Sequence, residues 1–70
     1  MMPLSLVRPG ETSYIKKVKG KMETRAFLEK LGFVEGCRVT VVSENRGNVI
    51  VSIKESRVAI SREMAREILV

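Results

Sequence analysis

A mainly β fold, closed into a small barrel of roughly five or six short strands with one short inserted helix and a C-terminal helical turn, is the class this sequence predicts. Three observations carry it. Turn signals recur every ~6 to 10 residues through the second half, at Asn45-Arg46-Gly47 and Glu55-Ser56, between runs rich in valine and isoleucine. One stretch, Arg25 to Val39, reads as a helix that stops at Leu31-Gly32-Phe33 and re-emerges, after a second turn at Gly36, as a strand. At 70 residues the chain makes one domain, 1–70, with a small core, and closing the sheet on itself is the way such a chain removes exposed edges.

The elements follow in order. Leu4 to Val7 reads as a first strand, closed by Pro9-Gly10. Thr12 to Val18 has strand composition, but Ile15 and Val18 are three apart, which calls for a bulge or strong twist near Lys16-Lys17. Gly20 ends that strand. Thr24 is placed to N-cap a helix running to Leu31, with Phe27, Leu28 and Leu31 as its apolar face. Gly32 then sits where a C′ glycine belongs, and Phe33 folds back on Leu28 or Leu31. Cys37 to Glu44 is a strand rich in β-branched residues, including Val39. Asn45-Arg46-Gly47 is a hairpin turn, and Asn48 to Lys54 returns with Val49, Val51 and Ile53 on one face. Arg57 to Ile60 completes a meander, Ser61 caps a helical turn Arg62 to Arg66, and Ile68 to Val70 is a last strand that closes the barrel against Leu4 to Val7. The architecture expected is an SH3-like barrel with an inserted helix.

Composition excludes more than it assigns. There is no histidine and no aspartate, so Ser-His-Asp and Cys-His catalytic arrangements cannot be built from this chain. No GxxxxGK[ST] loop is present, since Gly20-Lys21 lacks the glycine that should precede it. The glutamates are scattered among basic residues, and an enzyme is not expected. With a single cysteine and only glutamates beside it, neither a resident metal site nor a cofactor is expected. Cys37 reads as a small buried hydrophobe at a strand start. One unpaired thiol, no apolar run of membrane-spanning length and no signal-peptide pattern lead to the expectation of a cytoplasmic protein without membrane insertion.

Lys and Arg number 13 against 8 acidic residues, a net charge of +5. The excess is densest at Lys16, Lys17, Lys19, Lys21 and Arg25. Such a strip steers a protein toward nucleic acid, anionic lipid or an acidic protein face; its ordinary role is a solvated strand edge that resists aggregation.

The residues L-E-K-L-G-F-x-x-G-x-x-V from Leu28 to Val39 and R-V-A-I-S from Arg57 to Ser61, with the helical turn and apolar strand from Glu63 to Val70, resemble the FeoA family. The opening S-L-V-R-P-G-E, followed by Ile15 and by Val18-x-Gly20, matches that family's usual start. The chain departs from the pattern at Glu55-Ser56, where the family often has a glycine. The resemblance implies a small cytosolic SH3-like protein of ferrous iron transport. Its implied partner is FeoB, a membrane ferrous-iron transporter with a cytosolic GTPase domain, and any relation to metal is indirect. A groove between helix and barrel is the expected contact surface, with Tyr14, Met22 and Phe27 lining it and Lys16, Lys17 and Arg25 supplying charge. Leu28, Leu31, Gly32, Phe33, Gly36 and Val39 read as architecture. Self-association through the valine-rich strands is a further expectation. A free-standing nucleic-acid-binding module using the strip Lys16–Arg25 is the alternative.

Overall fold

The chain enters as a tight turn rather than a strand. The computed structural model describes residues 1–70, and in it Leu4–Leu6 forms a 3-10 turn. Leu4 and Val7 are both buried, and residues three apart share a side only if the backbone turns, since an extended segment sends them to opposite faces. The expected first strand at Leu4–Val7 is therefore corrected. The edge partner of the chain's end lies just before it: Met2 and Val70 exchange two backbone hydrogen bonds of 2.8 Å, and Pro3 bridges Leu69.

The run expected as one strand, Thr12 to Val18, is two. Strand β1 (Thr12–Tyr14) pairs antiparallel with β3 (Arg38–Asn45). Strand β2 (Lys17–Val18) pairs antiparallel with the last strand, β6 (Ile68–Leu69). Between them Ile15 still binds Cys37 and Gly36 through its backbone, while Lys16 N–H already donates to Leu69 at 2.8 Å. The irregularity expected near Lys16-Lys17 is thus a corner at which the chain leaves one sheet for the other, and Ile15 is buried at that corner. The larger sheet runs β1-β3-β4-β5 and the smaller one β2-β6.

Helix α1 (Met22–Lys30) begins after Gly20 without a side-chain cap. Lys21 occupies the N-cap with extended φ and ψ, so Thr24 lies inside the helix at its third position and caps nothing. At the other end the helix stops as expected. Gly32 has φ +107°, Gly32 N–H donates to Glu29 O at 2.9 Å and Phe33 N–H to Leu28 O at 3.0 Å. This bond pair is the Schellman arrangement, and burial of both Leu28 and Phe33 supplies the apolar contact that accompanies it. Leu31 is the C-cap and is only half-buried, packed against the core from outside. Phe27 points away, 47% exposed, so the apolar face of α1 is Leu28 and Leu31 without Phe27. A second turn at Gly36 (φ +86°) delivers the chain to β3.

The remainder is the meander that the turns announced. Strands β3, β4 (Asn48–Ile53) and β5 (Ser56–Ser61) pair in sequence, with Val41 opposite Val51 and Val51 opposite Val58. A register shift between Val41 and Ser43 inserts Val42 as a bulge, which bends β3 and lets the sheet curl. Arg46 and Gly47 form the first turn with φ +45° and +83°, so Arg46 takes the conformation expected of Asn45, which stays in β3. The second connection is Lys54-Glu55 rather than Glu55-Ser56, and Lys54 carries its positive φ, +55°. Ser61 caps α2 (Arg62–Arg66) by accepting from Met64 N–H at 3.1 Å, as expected.

The core holds 14 side chains, all apolar. Phe33, Leu4, Ile15, Leu28, Ile53 and Ile68 are its largest fully buried members, and Val39, Val41, Val49 and Val51 line the sheet beneath them. Two stability predictions follow from this packing. Leu28→Ala lowers the unfolding free energy by ~2–5 kcal/mol and Leu31→Ala by less, because only Leu28 leaves an enclosed cavity; urea denaturation of the two variants checks the order, and an equal or inverted cost contradicts it. Arg46→Asn places an Asn-Gly pair in a turn whose residues both have positive φ, and is expected to stabilise by roughly 0.5–1 kcal/mol. That appears as a melting temperature several degrees above the parent's, on the order of 4–8 °C per kcal/mol at this size.

Candidate partner-binding groove

A groove of about 600 Å³ runs between α1 and the rest of the fold. Its helical wall is Met22, Arg25, Ala26 and Glu29, and its opposite wall is Val18, Phe33, Val34 and Glu35. The helical set is spaced i, i+3, i+4, i+7, which is one continuous stripe of an α-helix. The groove exists because α1 touches the barrel mainly through its C-terminal half. Leu28 anchors there with no exposed surface, while Met22 at the N-terminal end is 76% exposed. The uncapped start at Lys21 and the turn at Gly20 leave that end standing off the sheet.

Of the residues the sequence singled out for contact, the structure brings Met22 and Arg25 into this groove. Tyr14 is 60% exposed but lies on β1, opposite Arg38, and lines a different face. Lys16 and Lys17 are exposed at the corner between the sheets, with their backbones engaged in closing the barrel. Phe27 is exposed on α1 outside the groove stripe. The groove residues not singled out are Val18, Ala26, Glu29, Val34 and Glu35. A signal for part of this set was available: starting the helical count at Met22 instead of Thr24 puts Ala26 and Glu29 on its stripe.

The groove is chemically mixed, an apolar floor of Val18, Ala26, Phe33 and Val34 between Arg25 and the carboxylates of Glu29 and Glu35. Such a surface suits an amphipathic protein segment: apolar side chains fill the floor and polar ones meet the rim. Cysteine and glutamate side chains do not gather in groups of three or more anywhere in the fold. Cys37 is half-buried, at the edge of the core. No helix is long and apolar enough to cross a membrane.

Known proteins share both sequence and shape with this chain. A protein of Methanocaldococcus jannaschii, named as a candidate Fe(2+) transport protein A, is 33% identical over 70 residues, all of this chain and 85% of the relative. The crystal structure of an iron uptake regulatory protein, FeoA, superposes with a TM-score of 0.88 at 28% identity, covering 96% of this chain and 91% of that one. The Stenotrophomonas maltophilia FeoA complexed with zinc, named a procaryotic SH3 domain protein, superposes with a TM-score of 0.86 at 21% identity, covering 99% and 88%; at that identity the likeness is one of fold. The FeoA domain family profile itself matches residues 2–70. The chain therefore belongs to the FeoA family, a family associated with ferrous iron transport.

Proposed function

We propose that this protein is a cytoplasmic accessory subunit of ferrous iron transport, a single domain over residues 1–70 that binds the cytosolic part of a FeoB-type GTPase transporter and modulates its assembly or activity. It acts by binding rather than by catalysis. Family membership supplies the iron-transport context, and the observation that carries the reading is the groove under α1, with Met22 exposed at its mouth. A flexible methionine beside an apolar floor adapts its shape to a partner's side chains. The surplus of 13 basic over 8 acidic residues favours approach to an acidic GTPase face or to the anionic inner leaflet. Away from the groove, Tyr14, Lys16, Lys17 and Phe27 offer further exposed contact, and self-association through the outer faces of the valine-rich strands is compatible with the same role.

The nucleic-acid reading has one observation in its favour. Lys16, Lys17, Lys19, Lys21 and Arg25 are all exposed, and the fold's ion pair, Arg62 with Glu44 at 2.8 Å, leaves them free. It predicts RNA or DNA binding that weakens steeply with salt; absence of a gel shift at low salt removes it.

The primary test is co-purification with the cognate transporter, together with the transporter's GTPase and iron-uptake rates with and without this chain. Ala26→Arg fills the groove from an exposed helix position and is expected to weaken the complex about tenfold or more while leaving the melting temperature near the parent's. The absence of both a complex and any change in either rate would sink the proposal; a complex indifferent to Ala26→Arg would move the contact off the groove.

A further inference from the structure

The outward face of the larger sheet carries a second depression, of about 220 Å³, that shares no residue with the groove. It is lined by Arg38, Thr40, Ser52, Lys54 and Cys37. Strand register explains the grouping. Thr40 pairs with Ser52 and also with Thr12, so three hydroxyl side chains stand in a row across β1, β3 and β4. Arg57 on β5 is opposite Ser52 and extends that row with a cation. Arg38 lies two residues before Thr40 and Lys54 two residues after Ser52, which sets both at the same end of the depression.

Its chemistry is one-sided. The lining supplies two cations, two hydroxyls and a thiol, and no carboxylate. Neither Arg38 nor Lys54 is ion-paired, since Arg62 and Glu44 form the salt bridge of the fold. The nearby Glu11 carboxylate is turned to its own loop, where it accepts from Arg8 N–H at 3.0 Å. Thr12 and Thr40 share one hydroxyl–hydroxyl bond of 2.8 Å, which leaves one of their protons free to donate, and Ser52 has no side-chain partner. Unpaired donors therefore converge from both strands.

Lys54 stands in the turn between β4 and β5. Its φ of +55° is a conformation in which a turn ordinarily takes Gly or Asn. Its side chain runs past Gly32, where a Cβ would sit 3.7 Å from Lys54 Cδ and 3.8 Å from Cε, and it lines the depression.

We propose that this depression is a binding site for a phosphate-type oxyanion, held by Arg38 and Lys54 as charged donors and by Thr40 and Ser52 as hydroxyl donors, with Arg57 adding charge at its edge. Guanidinium and ammonium groups suit a tetrahedral oxyanion, and the hydroxyl row supplies short directional bonds between them. A soluble phosphate compound and a phospholipid headgroup present the same chemistry here.

The test uses the intact chain. Amide ¹H–¹⁵N spectra are followed during titration with sodium phosphate, with sodium chloride at matched ionic strength as the control. Saturable shifts confined to Arg38, Thr40, Ser52, Lys54 and their neighbours are expected with phosphate alone. Arg38→Gln and Lys54→Asn should each weaken binding about tenfold. Lys54→Asn should hold or raise the melting temperature at the same time, because asparagine tolerates the positive φ, so loss of binding cannot be put down to unfolding. Identical shifts with chloride, shifts centred on Lys16–Lys21, or undiminished binding by both folded variants would overturn the proposal. Flotation with phosphatidylcholine vesicles, with and without phosphatidylglycerol, separates the sources. Capture that needs phosphatidylglycerol and is lost in Arg38→Gln and Lys54→Asn identifies a headgroup, and a phosphate titration that succeeds without capture identifies a soluble phosphate. The site is independent of the groove, so either can fail while the other stands.

Discussion

Everything in this fold hangs on where the last four residues go. Val70 exchanges backbone bonds with Met2, Leu69 accepts from Lys16, and Glu67 accepts from Lys19, so the chain's end is held between its beginning and the strand that follows the sheet corner. Each bond contributes only ~0.5–1.5 kcal/mol net. Together they bring Leu4, Ile68 and Val70 over the open side of the larger sheet, and each such side chain is worth ~1.5–3 kcal/mol when removed from water. The closure is a contact between residues nearly the full chain length apart, so it is also the part of the fold with the highest cost in loop entropy.

The corner and the helix follow from that closure. Because β2 must pair with β6 while β1 pairs with β3, the chain turns sharply between Tyr14 and Lys17 and then passes through Gly20, at positive φ, into α1. Helix α1 is pinned at its far end by Leu28, Gly32 and Phe33. One end fixed and one end free is the condition for a groove. The same geometry separates the two surfaces: the groove is rimmed by Arg25, Glu29 and Glu35, whereas the sheet's outward depression presents Arg38 and Lys54 with no carboxylate in its lining. A chain of 70 residues thus offers two faces of different chemistry from one small apolar core.

The β meander, the capped second helix and the stop at Gly32 were legible because each rests on neighbours in sequence. Val49, Val51 and Ile53 alternate inward as a strand's period demands, Ser61 bonds a group three residues away, and Gly32 answers a local need for positive φ. The misreadings have equally local causes. Thr24 is a good capping residue in the wrong place, since the helix had already begun at Met22 after Gly20 released the strand. Leu4 and Val7 looked like strand residues although their i, i+3 spacing fits a turn. Phe27, the largest apolar side chain of α1, reads from the sequence as part of the helix's apolar face and as a groove residue, although Leu28 next to it is the one that points inward. Only part of the groove was legible, Met22 and Arg25, because its helical stripe is counted from Met22 and its other wall, Val18, Phe33 and Val34, comes from segments flanking the helix whose approach no local pattern encodes.

By itself, then, the sequence determined the periods and the stops: alternation in β3 to β5, the glycine at the end of α1, the serine at the start of α2, and a composition without histidine or aspartate that narrows the chemistry available. These are set by φ, ψ and side-chain preferences within a few residues of each position. Tertiary structure alone decided that Met2 rather than Leu4–Val7 receives the chain's end, that Thr12–Val18 breaks between two sheets, and that one end of α1 stands free. Those outcomes depend on which apolar side chains reach one another across the whole length of the chain, and no local preference encodes that choice.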